Sequence, residues 1–429
     1  MPDEVSFDIY YIWAYCLAVA RVAKFIISMY NNRYSGGFRN FNQQLNRGRF
    51  NNHNNNRRRG FSKSKIDRSL YIKRAEEFVS IEETVTNNSF ADFNLRPELV
   101  KNIKAKGYIK PTRIQDETIP YIVNGRDVLG IANTGTGKTA AFVLPLIDKV
   151  LHNPKERIII LAPTRELAEQ IMEEVRSFSW GLKVYVALVI GGASMRQQAE
   201  KIRRGPHFII GTPGRIKDLG KRRVIDFGNL KTVVLDEVDR MLDMGFIEDI
   251  KSIVDQIPKS RQTLFFSATI DKKIQPLIDS FLNNPIKVSI ESAKASTHVE
   301  QAIVRVARYE KEAKLHELVS CPDFKKVLVF GATRRIVEKL SMGLGQKGFR
   351  AQGLHGGKQQ NQRQRIMRDF RENRVNILVA TDVAARGLDV VDITHVINFD
   401  EPNNYQDYIH RIGRTGRVNN KGYALTFVE

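Results

Sequence analysis

Two short stretches of this sequence carry the residue types that handle phosphate. Ala132-Asn133-Thr134-Gly135-Thr136-Gly137-Lys138-Thr139 follows a strand predicted at Asp127–Ile131 and opens a predicted helix. Gly135 and Gly137, with Thr134 and Thr136 beside them, let the backbone curl so that several N–H groups face an anion. A helix beginning at the same point adds a favourable dipole. Lys138 is placed to reach β- and γ-phosphates, and the Thr139 hydroxyl to ligate Mg2+. The stretch matches the P-loop pattern except at Ala132, where the pattern has its first Gly. A plain Gly-rich turn in a Rossmann-like unit would have no use for the Lys-Thr pair. The second stretch, Asp236-Glu237-Val238-Asp239, follows the apolar run Val233-Val234-Leu235. Alone it would read as a loop or a helix cap. Downstream of a P-loop it reads as an acid pair, with Asp236 as a second Mg2+ contact and Glu237 orienting the attacking water.

Such residues need a parallel sheet, whose strands deliver ligand-binding loops at their C-terminal ends. From about Phe90 onward the chain alternates short β-branched runs with helical stretches. Strands are predicted at Asp127–Ile131, Arg157–Leu161, His207–Ile210, Thr232–Leu235 and Thr263–Phe266. A second series is predicted at Lys326–Phe330, Asn376–Ala380, His395–Phe399 and Tyr423–Phe427. This pattern predicts α/β architecture with two tandem parallel-sheet domains. The expected organisation is an apolar segment over 1–30, a disordered tail over 31–75, an ATP-binding domain over 76–286, a linker over 287–300 and a second domain over 301–429.

The chain has 429 residues, 42% of them hydrophobic, which excludes wholesale disorder. Its two cysteines, Cys16 and Cys321, exclude a disulfide scaffold or a Cys-rich zinc site and fit a reducing compartment. A net charge of +21 favours a polyanionic partner. Between Asn31 and Arg74 stand twelve Lys/Arg and one acid, Asp67, among many Asn and few apolar residues. Arg-Gly steps at Arg47-Gly48 and Arg59-Gly60, interleaved with Tyr34, Phe38, Phe41, Phe50 and Phe61, fit a single-strand nucleic-acid binder. A solvated tail that only aids solubility has the same composition. The apolar run Ile9–Ala20 is shorter than the ~20 residues that span a bilayer, and its acidic flank is the opposite of a signal peptide. It reads either as a membrane anchor or, given the change of composition at Met29, as sequence upstream of the true start. No stable membrane association is expected, and the location expected is cytoplasmic.

Further motifs follow in a fixed order. Phe90, Gly107-Tyr108 and Pro111-Thr112-Arg113-Ile114-Gln115 precede the P-loop. Pro163-Thr164-Arg165-Glu166-Leu167-Ala168, Gly191-Gly192, Thr212-Pro213-Gly214-Arg215 and Ser267-Ala268-Thr269 follow it. The second half carries Phe330 to Arg334, Gln360 with Arg363, Thr381-Asp382 through Asp389, and His410-Arg411-Ile412-Gly413-Arg414-Thr415-Gly416-Arg417. Over roughly Phe90 to Glu429 this ordered set resembles the DEAD-box RNA helicases of helicase superfamily 2, with a D-E-V-D form of motif II. The resemblance implies two RecA-like domains and use of ATP and Mg2+. Gln115 would read the adenine edge, Phe90 or Tyr108 would pack on the base, and Asp389 would contact the ribose. Arg414 and Arg417 would act as arginine fingers. His410 and Ser267, with Thr269, would link Asp239 to the other motifs. Pro163, Thr164, Arg165, Gly191, Gly192, Thr212, Pro213, Gly214 and Arg215, with Arg334, Gln360, Arg363 and Thr381, would line an RNA groove.

Three departures stand out against the family pattern. Val238 stands in place of Ala, and Gly357 follows His355-Gly356 in place of Asp. The sequence also ends at Glu429, where the family core continues into a further helix, so either a fragment or a clipped second domain is expected. The implied activity is ATP-dependent RNA unwinding or remodelling, with ribosomal or RNP components as partners. An ATP-dependent RNA clamp that turns over poorly is the alternative, against which Glu237 and Arg414 stand. A duplex-DNA translocase is a second rival, against which the adenine motif stands.

Overall fold

The computed structural model describes residues 66–75, 88–133, 135–270, 274–290, 298–385, 390, 392–416 and 421–429. The first sheet comprises β1 (Val128–Ile131), β2 (Ile158–Leu161), β3 (Val186–Val189), β4 (Phe208–Gly211), β5 (Thr232–Leu235), β6 (Gln262–Ser267) and β7 (Ile286–Ser289). They lie in the order β3-β4-β2-β5-β6-β1-β7, with every pairing parallel. The second sheet comprises β8 (Val299–Arg305), β9 (Val327–Phe330), β10 (Ala351–Leu354), β11 (Ile377–Ala380), β12 (His395–Asn398) and β13 (Gly422–Val428). Its order is β10-β11-β9-β12-β13-β8, again all parallel.

The central strands β2, β4, β5, β6, β9, β11 and β12 are buried at every position and largely apolar, because both faces of each sheet are covered by helices. In β2, Ile158 and Ile160 join the core on one face while Ile159 and Leu161 join the core on the other. The second sheet repeats this, with Leu328 and Phe330 of β9 on one side and Val327 and Val329 on the other. Each side chain so buried contributes ~1.5–3 kcal/mol relative to exposure.

Strand order fixes where the chemistry falls. The C-terminal ends of β1, β6 and β5 are neighbours at ~4.8 Å spacing, so the P-loop, Ser267 and Asp236 come from three adjacent strands. On the other side, β2, β4 and β3 deliver Pro163–Arg165, Thr212–Arg215 and Gly191-Gly192. In the second sheet, Arg334, Thr381 and Gln360 follow the adjacent strands β9, β11 and β10.

Three expected boundaries move. Residues 66–75, assigned by composition to a disordered tail, carry a 3-10 turn at Arg68–Tyr71 and a bridge from Lys73 to Gln301 of β8. Tyr71 is fully buried there against the second domain, which supplies the ordering energy that local composition lacks. The linker also shortens, since β7 runs to Ser289 and β8 starts at Val299. The remaining residues of the expected tail and the apolar segment 1–30 lie outside the described residues. Among the described residues, no helix is long and apolar enough to cross a membrane.

Candidate active site

The P-loop is shaped by glycines in the left-handed region, Gly135 at φ 87° and Gly137 at φ 91°. Gly137 is doubly constrained, because a Cβ there would lie 2.5 Å from Gln115 Nε2 and 2.9 Å from Thr112 Oγ1. The helix Lys138–His152 starts at once. Lys138 is buried, and its Nζ donates to Ala132 O at 2.6 Å. Thr139 is partly exposed beside it, while Thr134 lies outside the described residues.

Gln115 is fully buried. Its Oε1 accepts from Thr112 N at 2.9 Å, and its Nε2 donates to Gly137 O at 3.1 Å. The amide therefore ties the start of the helix Arg113–Val123 to the P-loop and keeps further hydrogen-bonding capacity for a base. Phe90 is only 2% exposed and packs edge-on to Phe93 and Tyr108, within the core. Tyr108 is the more accessible of the two rings.

Asp236 and Glu237 leave the end of β5 and are both buried. Asp236 Oδ1 has no hydrogen-bond partner, and burial pushes its carboxyl up to about 7 against the pull of Lys138. Burial also acts to raise Glu237, but Arg240, Lys138 and Arg414 outweigh it and hold the carboxyl below its usual range. Arg240 Nη1 meets Glu237 Oε2 at 2.5 Å. Arg414 belongs to the second domain, so the field on Glu237 is assembled from both. Arg414 is itself buried, whereas Arg417 and Asp389 lie outside the described residues.

Asp239 forms the link to the end of β6. Its Oδ2 accepts from Ala268 N at 3.2 Å and from Thr269 Oγ1 at 3.3 Å. Thr269 Oγ1 in turn accepts from Gln406 Nε2 of the second domain at 3.4 Å. The Ser267 hydroxyl instead donates to Thr269 O at 2.7 Å, so the expected Ser267 link is made by its neighbours. His410 stands on the same helix as Gln406, Tyr405–Ile412. That helix is anchored by buried Arg411, whose Nε and Nη2 meet both Asp382 oxygens at 2.6 and 2.8 Å.

The expected RNA-facing residues also converge. Thr164 caps the helix Arg165–Phe178, accepting from Leu167 N at 3.2 Å. Arg165 lies over Gly191 and Gly192, where added Cβ atoms would come within 2.9 and 2.5 Å of its guanidinium. Pro213 opens the helix Pro213–Lys221, with Thr212 before it and Gly214 next, and Arg215 Nη1 donates to Ala193 O at 3.1 Å. Across the domains, Arg165 Nη1 donates to Gln360 Oε1 at 3.3 Å and Arg363 Nε to Glu166 Oε1 at 2.6 Å. Gln360 Nε2 donates to Glu169 Oε1 at 3.0 Å. Thr381 follows β11, the neighbour of β10, and Arg334 follows β9 beyond it, and Arg334 Cδ is 3.6 Å from where a Cβ on Gly357 would lie. Sequence reasoning missed Arg240, Glu169 and Gln406 as partners. Their signals were local only in part: Arg240 lies one helical turn from Glu237, whereas the others act across domains.

The model of the DEAD/DEAH box helicase family matches residues 112–277, and that of the helicase conserved C-terminal domain matches residues 310–419. The ATP-dependent RNA helicase CshA of Limosilactobacillus reuteri is 46% identical over 341 residues, 79% of this chain and 69% of that one. This chain is a DEAD-box helicase. The helicase is accordingly a hydrolase acting on ATP, with two RecA-like domains. Its fold resembles S. cerevisiae Dbp5 bound to RNA and ADP BeF3, with a TM-score of 0.71, 32% identity and coverage of 80% of this chain and 89% of that one. Mss116p bound to ssRNA and AMP-PNP gives a TM-score of 0.73 at 28% identity, covering 83% of the helicase and 76% of that chain. In this helicase Val238 is fully buried in one core of the first domain, so its extra methyls are packed rather than solvated. Gly357 N donates to His355 Nδ1 at 3.0 Å, and a Cβ at Gly357 would lie 3.0 Å from that ring.

Proposed function

We propose that this helicase couples ATP hydrolysis in the split site to sequence-independent binding of RNA, and that joint closure on both ligands bends or strips a short duplex. The observation that carries this reading is buried Glu237 held ionised by Lys138 and Arg240 of its own domain and by Arg414 of the other. The contacts of Arg165 with Gln360 and of Arg363 with Glu166 join the same two domains on the RNA-facing side. Nucleotide and RNA would therefore favour one and the same closed arrangement.

Glu237 would orient the attacking water and take its proton. Lys138 would exchange the Ala132 carbonyl for phosphate oxygens. Arg414, with Arg417, would stabilise charge developing on the transferred group. Asp236, with a buried oxygen that has no partner, and Thr139 are hard oxygen donors that fit Mg2+. Thr139 and Asp236 would hold Mg2+, which when bound neutralises charge on the β- and γ-phosphates. Gln115 and Tyr108 would meet the adenine, and Asp389 the ribose. Backbone N–H groups, Thr hydroxyls and Arg side chains of the RNA-facing set suit phosphate and sugar rather than base edges. Ribosomal or RNP components as partners, and the cytoplasm as location, fit this reading.

The test is steady-state ATP turnover with and without single-stranded RNA, run beside displacement of a short RNA duplex and repeated with DNA. RNA-stimulated turnover with strand release is expected. Turnover without strand release would make the chain a clamp, and equal stimulation by DNA would overturn the substrate.

A further inference from the structure

The segment 66–75 precedes the first domain in sequence but packs on the second. Tyr71 is fully buried there, with its ring centroid 4.6 Å from that of Tyr408, in a cluster with Val299, Ile412 and Ala424. Its neighbours Leu70 and Ile72 are exposed, so Tyr71 alone is driven inward at this point. Lys73 exchanges both main-chain hydrogen bonds with Gln301, at 3.2 and 2.8 Å, adding a short antiparallel rung to β8 at the edge of the sheet. Arg68 Nη2 pairs with Glu401 at 2.9 Å, and its Nη1 donates to Glu429 O at 2.9 Å. Asp67 caps the turn, accepting from Ser69 N.

What the segment covers matters. Tyr408 and Ile412 form one face of the helix that carries His410 and leads into Arg414. His410 lies about 200° round that helix from Tyr408, so the segment braces the face opposite it. Arg411 anchors the helix independently, through Asp382, Asn398 and the Asp400 carbonyl. Tyr408 is also fixed from below, its hydroxyl donating to Gln301 Oε1 at 2.9 Å, the residue that bonds Lys73.

We propose that residues 66–75 are a strap that positions the Tyr405–Ile412 helix for catalysis, with Tyr71 as its positioning residue. The strap holds Arg414 at the height required by Glu237. Because the chain continues from the strap through 76–87 to the first domain, the docked strap ties the domains a second time, by the chain to the first and by non-covalent contacts to the second. The proposal rests on the ATPase reading for its consequence, but not for the docking itself.

The test uses the full chain with Tyr71→Ala, Tyr71→Phe and Lys73→Pro. Hydrogen exchange of the 405–412 amides, without nucleotide, reads docking; kcat and KM for ATP at saturating RNA read its consequence. Tyr71→Ala should speed exchange there about tenfold and lower kcat about tenfold or more, since small misplacements of a catalytic group are costly. KM for ATP should stay within about twofold, because Lys138 and Gln115 lie on the other domain. Tyr71→Phe should behave as wild type, because the buried Tyr71 hydroxyl has no hydrogen-bond partner. Lys73→Pro removes one main-chain donor without touching the core and should shift both readouts in the same direction. Unchanged exchange in Tyr71→Ala would overturn the strap, as would equal damage from Tyr71→Phe, or a raised KM with kcat unchanged. Loss of RNA-stimulated turnover in the wild type would sink the enzymatic reading, whereas docking stands or falls on exchange alone.

Discussion

Glu237 adopts φ 53° and ψ 52°, a left-handed conformation that costs a non-glycine residue ~1–3 kcal/mol. The turn throws its carboxylate into the buried field of Lys138, Arg240 and Arg414 rather than along the strand. Glu237→Gln keeps size and backbone while removing the base. It should retain ATP and RNA binding and lose turnover, as checked by nucleotide titration beside steady-state hydrolysis. Lys138→Ala should weaken nucleotide binding as well, and equal ATP affinity in the two variants would contradict the separate roles. Gln115 makes a different demand, because a buried amide rejects a base that leaves its groups unpaired. Turnover should prefer ATP over GTP, and Gln115→Ala should blunt that preference. The variant also loses the bond to Gly137 O, so its overall nucleotide affinity should fall too.

At the scale of elements, what the sequence made legible follows burial. The nine strands read from β-branched runs are the nine interior strands of the two sheets, β1, β2, β4, β5, β6, β9, β11, β12 and β13. The four unread strands, β3, β7, β8 and β10, are the edges of the two sheets. An edge strand keeps solvent on one side, so its apolar run often breaks, as Lys287 in β7, Glu300 and Gln301 in β8 and Gln352 in β10 show, although β3 is apolar throughout and its residues alone did carry the signal. Many motif residues were legible because they directly follow a strand, as the P-loop, Thr212, Asp236 and Thr381 do, whereas Phe90, Gln115, His410 and Arg414 do not and were read from the ordered motif set alone. Their cross-domain partners were not, since no local pattern relates Glu166 to Arg363 or Thr269 to Gln406. One packed element makes a pH prediction. At the start of β12, His395 is stacked between Phe324 and Tyr423, with ring centroids 3.9 and 5.0 Å away, and burial pushes its imidazole down to about 4. The unfolded chain then binds this proton first as pH falls. Stability is therefore retained above about 6.5 and lost progressively down to about 4, by up to about 3 kcal/mol. His395→Phe should flatten that loss in denaturant unfolding at pH 7.5, 5.5 and 4.5, and a parallel decline in both proteins would rule the assignment out.

For the molecule as a whole, catalysis is expected to depend on the two domains meeting, and RNA affinity in part on what precedes them. Arg414→Ala should slow RNA-stimulated turnover by ~10³–10⁵, the usual worth of an arginine finger, while ATP affinity changes little. Near-normal turnover would refute the shared site. The basic stretch makes a separate contribution. Arg68, Lys73 and Arg74 belong to the packed segment, and Arg68 is paired with Glu401, which leaves nine basic residues from Arg33 to Lys65 to meet phosphate. The Arg and Lys side chains of this Asn-rich stretch suit phosphate rather than base edges, so it should add affinity without sequence choice. Each phosphate neutralised on a single strand steepens the fall of log K with log salt by ~0.7. If four of the nine engage together, deleting residues 31–65 while keeping the strap should flatten that slope by roughly 3 units. Turnover at saturating RNA should be unaffected, because every catalytic residue follows Phe90. RNA affinity measured across a salt series, with and without 31–65, decides the matter: an unchanged slope means that the stretch is a solvated bystander and that RNA is held by the two domains alone.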